Sequence, residues 1–509
     1  GGEGATTSGP VGLQPVAVAD VHKLPQDPHE LCAKLIQEHG IPCEHRFSLL
    51  SRIRVCRSFA TLEGRQFSTR VRLLALYVLL QSNVEHEELQ TLFDNEPELV
   101  NELLEIIRGE GKVLVGLRTL ALRILAAAVF DRTRLSNHQS VQTTVLEALG
   151  AGQYAGLLPN LLQKSVDLLT ATGPDGDLAP GVSKFLESLL SFIATVVQSS
   201  NQCGSTIYDS TFLPILLPLL SHTNPKHITF VSTGICILEA FMDHNQEVAR
   251  QLREMAGLKR MVARLHTELS VGGVVSHPVD DSLASPLSHP IDSAAAQEEA
   301  AQEVLPYHRR LMLKHLLRAM SQVANFALPG EATVRPLQGD GAGIPACLCA
   351  IFQRPKRYGG IIFSVASQIM TEILNQDPLC FNQLEEAGLP RVYLETLSTG
   401  VLPVYDTLCS IPPTLMALCL NKRGKQRVQE SGVLECLVPI FTTPQYLKAL
   451  QNDTPAVMGG GIDELLRHVS DLRKPCVASI MDIFVRIVEI GEGKHDDAPE
   501  GLDWGAGGS

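Results

Sequence analysis

The sequence predicts an all-α protein built as an armadillo/HEAT-like helical solenoid, and a recurring pattern is the first reason. An Asn, a helical stretch, a Gly and an apolar run follow one another from Asn245, Asn375 and Asn421. The glycines of the last two copies, Gly388 and Gly432, are 44 residues apart, and armadillo and HEAT repeats have periods in the forties. Such a Gly ends one helix, and the apolar run begins a helix that buries its face on a neighbouring repeat.

Composition and helical periodicity are the second and third reasons. Only 5% of the residues are aromatic, and the many Leu and Ala residues suit helix-on-helix packing. From Pro28 onward apolar residues recur at helical spacing, and the clearest predicted stripe is Leu73, Leu74, Leu76, Tyr77 and Leu80. A further helix is predicted to start at Asp94 and end at Gly109, with acidic residues near the positive end of its dipole.

Charge and cysteine usage restrict the class of protein. The net charge of −13 argues against nucleic acid or an anionic membrane as the partner. No run approaches 18 uncharged apolar residues, so we expect a soluble protein in the cytoplasm, the nucleus or both. The twelve cysteines lie mostly in apolar helical runs, which is typical of reduced, buried thiols. No cofactor is predicted.

Breaks in the pattern divide the chain. Stretches rich in Gly, Pro, Ser and His have too few large apolar residues to offset the entropy of ordering them. The predicted divisions are a disordered lead-in at 1–28, an armadillo-like module at 29–202, a second at 203–490 with a flexible insertion at 271–302, and a flexible tail at 491–509. Shorter loops are predicted at 329–343 and 451–461.

Several segments of the sequence resemble those of one protein family. They are Phe93–Leu104, Ser410–Asn421 with the following Arg423 and Gly424, and Ile462–His468. In this order they resemble the N-terminal armadillo-like region of the giant HECT-type E3 ubiquitin ligases, the group of the animal HECT, UBA and WWE domain protein and its plant and yeast relatives. The resemblance extends over roughly residues 28 to 491.

The resemblance implies a scaffold that recruits protein substrates for ubiquitination, with ubiquitin-pathway proteins and the remainder of the ligase as further partners. The catalytic HECT module is not recognised in this chain, so whether the chain itself is an enzyme stays open. The alternative is a stand-alone armadillo adaptor that binds proteins without any link to ubiquitin. Reading the genomic sequence after Ser509 for an in-frame HECT domain separates the two.

A basic segment supplies the candidate partner-binding residues. Residues 46 to 72 contain seven arginines and a single acidic residue, Glu63. An acidic peptide, a ubiquitin surface or RNA phosphate could bind there. In the alternative, the arginines bond to acidic neighbours such as Glu96, Glu98 and Glu102. The candidates are Arg52, Arg54, Arg57, Arg70 and Arg72.

Other constellations fit structural roles better. The spacing of Cys32, His39, Cys43 and His45 does not match the paired ligands of a zinc finger. Gly109–Lys112 and Gly459–Gly461 lack the remainder of a phosphate loop, so both are predicted to connect helices. No cysteine has surroundings that favour a nucleophile.

A ladder of Asn side chains is a further candidate feature. In armadillo proteins a comparable ladder binds the backbone of extended peptides. Here the spacing of Asn325, Asn375 and Asn421 is irregular and the only Trp is Trp504. Capping of helix ends is therefore the favoured role for these amides.

Overall fold

The computed structural model describes residues 25, 27–58, 62–82, 98–109, 113–130, 139–151, 156–173, 176–199, 211–270, 304–325, 337 and 339–492. These residues form 23 α-helices and no strand. The prediction of an all-α helical solenoid is confirmed. Most of the predicted lead-in and tail, the insertion at 271–302 and the boundary near 203 lie outside the described residues.

The helices follow one another with short connections. The first twelve are α1 Pro28–His39, α2 Arg46–Ser58, α3 Leu62–Gln81, α4 Leu99–Arg108, α5 Val115–Val129, α6 Gln139–Ala148, α7 Leu157–Ala171, α8 Pro180–Ser199, α9 Phe212–Leu220, α10 Ile228–His244, α11 Gln246–Glu254 and α12 Gly257–Ser270. The others are α13 Tyr307–Ala324, α14 Ile344–Gln353, α15 Pro355–Tyr358, α16 Gly360–Gln376, α17 Phe381–Glu386, α18 Leu389–Thr399, α19 Tyr405–Leu418, α20 Lys422–Glu430, α21 Leu437–Thr442, α22 Thr454–His468 and α23 Arg473–Gly491.

The long helices stack in two layers. In the first layer α3, α5, α8, α10, α13, α16, α19 and α22 each pack on the next. In the second layer α7, α9, α12, α14 and α18 do the same, and α21 packs on α23. The stacked helices thus bury apolar residues on their neighbours, as a solenoid requires.

One hydrophobic core runs between the layers from Leu73 to Cys476. A second, small core joins α1 to α2 through Leu31, Cys32 and Ile53. The large core is continuous through α8, α9 and α10, and the division of the chain into two modules stays a prediction.

The recurring Gly and Asn pattern has a clear local structure. Gly388 and Gly432 adopt left-handed backbone angles, with φ of 76° and 61°, where a side chain would be strained. Asn421 caps α20, because its Oδ1 accepts from the Arg423 amide at 2.9 Å. In the first copy Ala256, with φ 55°, takes the left-handed position in place of Gly257.

The side chains of the other two Asn residues, Asn375 and Asn325, do not cap a helix end as predicted. Asn375 lies inside α16, and Asp377 caps the turn that follows, accepting from the Leu379 amide at 2.9 Å. Asn325 follows α13 and donates to Glu372 on the next helix of the layer at 3.0 Å.

The loop predicted at 451–461 is wrong, because α22 begins at Thr454. Pro455 fits the first turn of a helix. Gly461 lets α22 approach α19 closely, since a Cβ there would lie 2.7 Å from the Cβ of Pro412. The three glycines are therefore part of a helix and do not form the predicted connection.

Among the described helices, α8 alone is long and apolar enough to cross a membrane by length and composition. In the fold it is a core helix between α5 and α10. Phe185, Leu189, Phe192 and Val196 of α8 are buried.

Candidate functional site

The predicted basic segment forms α2 and α3. Arg52 and Arg54 are exposed on α2, and Arg70 and Arg72 are exposed on α3. The side chain of Arg57 lies outside the described part of the chain. The structure thus places four of the five candidate arginines at the surface.

Two of these arginines have specific neighbours. Arg72 Nη2 forms an ion pair with Glu102 Oε2 on α4, one of the acids that the alternative interpretation named. Arg54 Nη2 lies 2.7 Å from His29 Nε2 on α1. Both side chains link neighbouring helices, so Arg52 and Arg70 are the better candidates for binding a partner.

Sequence reasoning missed an exposed apolar stripe on α3, which we call the α3 stripe: Phe67, Val71, Leu74 and Val78. Their exposed fractions are 65%, 52%, 50% and 60%. The prediction that Leu74 belongs to the buried stripe is therefore wrong. The buried positions of α3 are Leu73 and Leu80, because these face the first-layer neighbour α5. The sequence did contain a signal for this stripe. Its four residues are spaced by four, three and four positions, which places them on a second face of the same helix.

A polar network crosses the first layer from α8 to α16. Gln198 Nε2 donates to the Cys236 thiol at 3.7 Å, and Gln322 Nε2 donates to Asp243 Oδ1 at 2.6 Å. His315 Nδ1 lies 2.6 Å from Glu239 Oε2. Hydrogen bonds link each helix of this part of the layer to the next.

The electrostatics of His315 follow from this network. Burial opposes the charged imidazole, but interactions with Cys236 and Glu239 outweigh it and raise the pKa of His315 to about 9. The imidazolium therefore stabilises the contact between α10 and α13 at neutral pH.

A buried charge cluster joins α12 to α13. Arg264 Nε donates to Glu268 Oε1 at 2.8 Å, and Arg309 Nη1 lies 3.1 Å from Glu268 Oε2. Arg264 Nη1 also donates to the carbonyls of Leu220 and His222. The three charged side chains are almost completely buried, so they have a structural role.

Comparison with known proteins identifies the chain. Residues 232–504 match the family described as Domain of Unknown Function (DUF913), which covers more than half of the sequence. The chain belongs to the DUF913 family. Residues 9–167 also match a second description, Domain of Unknown Function (DUF908).

Curated relatives of this DUF913 protein are ubiquitin ligases. It is 38% identical over 494 residues to E3 ubiquitin-protein ligase UPL2 of Arabidopsis thaliana, covering 97% of this chain and 13% of that protein. UPL1 of the same plant is 38% identical over 495 residues, again at 97% and 13% coverage. Mouse E3 ubiquitin-protein ligase HUWE1 is 23% identical over 94% of this chain and 11% of its own length.

The predicted relationship to the giant HECT-type ligases is confirmed. The chain spans about an eighth of the length of its first two relatives (13%). The match is to their N-terminal part.

The thiols of the DUF913 segment are mostly core residues. Burial raises the pKa of Cys347 and of Cys436 to about 12, and burial also raises the pKa of Cys419 to about 11. A thiol must ionise to act as a nucleophile. These three positions are therefore unsuited to accepting ubiquitin.

Cys32, the first of the residues considered as zinc ligands, has a structural role. It is buried in the small core, and its Sγ donates to the Arg46 carbonyl at 3.8 Å. Among the described residues no group of three or more His, Cys, Asp and Glu side chains could hold a metal ion.

Proposed function

We propose that this chain is the scaffold and substrate-recruiting N-terminal region of a HECT-type E3 ubiquitin-protein ligase that acts in protein ubiquitination. The observation that carries the proposal is the 38% identity to two plant ubiquitin ligases along 97% of the chain. The ubiquitin-transfer step is assigned to the remainder of the ligase.

The proposed mechanism is positional. A substrate held on the stacked helices stays near the ubiquitin-loaded cysteine of the same ligase, which raises its effective concentration. Protein substrates, ubiquitin-pathway proteins and the other parts of the ligase chain are the proposed partners. The acidic charge and the buried reduced thiols support a location in the cytoplasm, the nucleus or both.

Arg52 and Arg70 are the proposed contacts for an acidic partner. They are exposed, whereas Arg72 is engaged by Glu102. A stand-alone adaptor remains the competing function because a solenoid surface can serve either role. An in-frame HECT domain after Ser509 decides between them.

The experiment compares the full-length ligase with a version that lacks residues 28–491. We expect both to form the ubiquitin thioester on the catalytic cysteine, and we expect ubiquitin-remnant proteomics in cells to show loss of many substrate sites only in the shortened ligase. An unchanged set of substrate sites would contradict the recruiting role.

A further inference from the structure

We propose that Cys236 on α10 is a reactive thiol, which hydrogen peroxide oxidises to a sulfenic acid. The site lies in the first layer, where α10 packs between α8 and α13. It consists of the thiol, the His315 imidazole, the Glu239 carboxylate and the Gln198 amide. Modification of this thiol is a property separate from the proposed recruiting function.

Partial exposure distinguishes Cys236 from most of the described thiols. A thiol must be accessible before a reagent can modify it. Cys236 is partly exposed, as are Cys409 and Cys419. The other described thiols are buried: Cys32, Cys347, Cys349, Cys380, Cys436 and Cys476. Accessibility alone therefore leaves three candidates, and their surroundings decide between them.

The geometry of α10 places an acid and a base beside the Cys236 thiol. Cys236 and Glu239 are three residues apart, so they project from the same face of the helix. On this face His315 Nδ1 of α13 lies 2.6 Å from Glu239 Oε2. The same imidazole shares a side-chain hydrogen bond with the Cys236 thiol. A thiol, a base and a third group that orients the base are the parts of an activated nucleophile.

The charges around the sulfur favour a thiolate. Burial opposes the charged His315 imidazole, but its interactions with Cys236 and Glu239 raise its pKa to about 9, so it is charged at neutral pH. Arg318 Nη1 lies 3.6 Å from Glu239 Oε1 and adds a second positive charge. Asp243, the remaining acid of α10, lies about 10 Å further along the helix axis. Two cations thus share one nearby carboxylate, and a negative sulfur would balance the excess charge.

A hydrogen-bond donor from α8 completes the site. Gln198 Nε2 donates to Cys236 Sγ at 3.7 Å. Such a donor stabilises a thiolate more than a thiol, because hydrogen bonds to a charged acceptor are stronger. Gln198 is itself exposed, so this side of the site faces solvent. The sequence predicts no nucleophilic cysteine, because these neighbours of Cys236 meet only through the packing of three helices.

The proposed reaction is a two-electron oxidation. The Cys236 sulfur attacks one oxygen of hydrogen peroxide, so that an S–O bond forms while the O–O bond breaks. The leaving hydroxide takes the proton held by His315 and departs as water. The sulfur loses two electrons to the peroxide and becomes a sulfenic acid.

A small oxidant suits this site better than a ubiquitin thioester. Cys236 is only partly exposed, and its neighbours come from three stacked helices. Hydrogen peroxide is little larger than water and can approach such a sulfur. A ubiquitin-loaded conjugating enzyme has to bring its own thioester against the accepting thiol, which needs a more open surface. We therefore expect oxidation of Cys236 without ubiquitin transfer.

Cys409 and Cys419 are matched controls within the same chain. Both are partly exposed, like Cys236. Burial raises the pKa of Cys419 to about 11, although Lys425 opposes the shift. Burial also raises the pKa of Cys409, against a hydrogen bond with Tyr405. Both are protonated at neutral pH, so they test whether partial exposure alone makes a thiol reactive.

The experiment exposes the whole chain to hydrogen peroxide at neutral pH together with dimedone, which traps sulfenic acids. Mass spectrometry then follows the labelling of each cysteine with time. We expect Cys236 to be labelled about tenfold or more faster than Cys409 and Cys419. His315→Gln should remove most of this advantage. His308→Gln changes an exposed residue of the same helix and should leave the rate unchanged.

Three results would overturn the inference. The first is labelling of Cys236 no faster than that of Cys409 and Cys419, a comparison within the native chain that needs no variant to fold. The second is an unchanged Cys236 rate in a His315→Gln protein with the native circular dichroism spectrum. The third is the absence of thiolate ultraviolet absorbance at neutral pH when the spectrum of Cys236→Ser is subtracted from that of the native chain.

Discussion

His222 Nε2 and His227 Nδ1 lie 2.9 Å apart, and their rings stack with centroids 5.1 Å apart. Both residues are buried between α9 and α10. Burial, the neighbouring His227 and the charge of Arg264 lower the pKa of His222 to about 4. Burial and Lys226 also lower the pKa of His227, although Asp177 opposes the shift. The fold therefore favours two neutral imidazoles.

This pair predicts acid sensitivity. In the unfolded chain His222 takes up a proton below the ordinary histidine pKa of 6.5, whereas in the folded chain it stays neutral down to about 4. The contribution of His222 to the free energy of unfolding is therefore fully present above pH 6.5. It is lost progressively as the pH falls from 6.5 to about 4.

We expect the native protein to lose roughly 2 kcal/mol more between neutral pH and pH 5 than the variant His222→Gln. Urea unfolding at several pH values measures this difference. The exposed His308→Gln variant is the control and should follow the native protein. Equal pH profiles for His222→Gln and the native protein would contradict the assignment.

Removing the charge of Glu268 should be strongly destabilising. Glu268→Gln leaves Arg264 and Arg309 buried without their counter-charge, and breaking such a pair costs about 3 to 5 kcal/mol. The surface pair Arg391 and Glu395, 3.9 Å apart with both side chains exposed, provides the control. Glu395→Gln should change the free energy of unfolding by less than about 1 kcal/mol. Similar losses in the two variants would show that burial does not set the cost.

Alanine should have opposite effects at two glycines. At Gly424 a Cβ would lie 2.1 Å from the Leu418 carbonyl oxygen and 2.9 Å from the Phe381 ring, so Gly424→Ala should cost about 3 kcal/mol. At Gly459, inside α22, the added Cβ would lie more than 4 Å from every described atom outside its own stretch of helix. Gly459→Ala should stabilise the helix by about 0.5 to 1 kcal/mol. Thermal unfolding of both variants measures the contrast, and a loss at Gly459 would mean that its surface is not free.

The isolated chain should form no ubiquitin thioester. Buried thiols such as Cys347 and Cys436, whose pKa burial raises to about 12, have almost no thiolate at neutral pH. The assay incubates residues 1–509 with activating enzyme, conjugating enzyme, ATP and ubiquitin, and compares gels run with and without reductant. A reductant-sensitive adduct that disappears when one cysteine is mutated would make the segment an enzyme in its own right.

Local signals predicted the repeat architecture well. The roles of Gly388, Gly432 and Asn421 depend on their own backbone or on residues close in sequence. Such roles can be predicted from the sequence alone. Helix α22 was not predictable from its glycines, because the reason for a glycine at position 461 is the close approach of Pro412 on another helix.

The candidate site was harder to predict for the same reason. The sequence showed a cluster of arginines, but the engagement of Arg72 by Glu102 depends on how α3 and α4 pack. The exposure of Leu74 depends on which face of α3 meets α5. The buried Arg264 cluster combines side chains from two helices with carbonyls more than 40 residues away in sequence.

The Glu268 and Arg309 ion pair has a practical consequence for protein engineering. It holds Glu268 and Arg309 side by side, although residues 271–303 lie between them in sequence. Just after residue 303, the Leu305 amide donates to the Arg357 carbonyl at 3.0 Å. The entropy of closing a loop grows only slowly with its length. A fluorescent protein or an affinity tag inserted between 271 and 303 would therefore be anchored at both ends by contacts that already exist, which makes this a suitable place to label the solenoid internally.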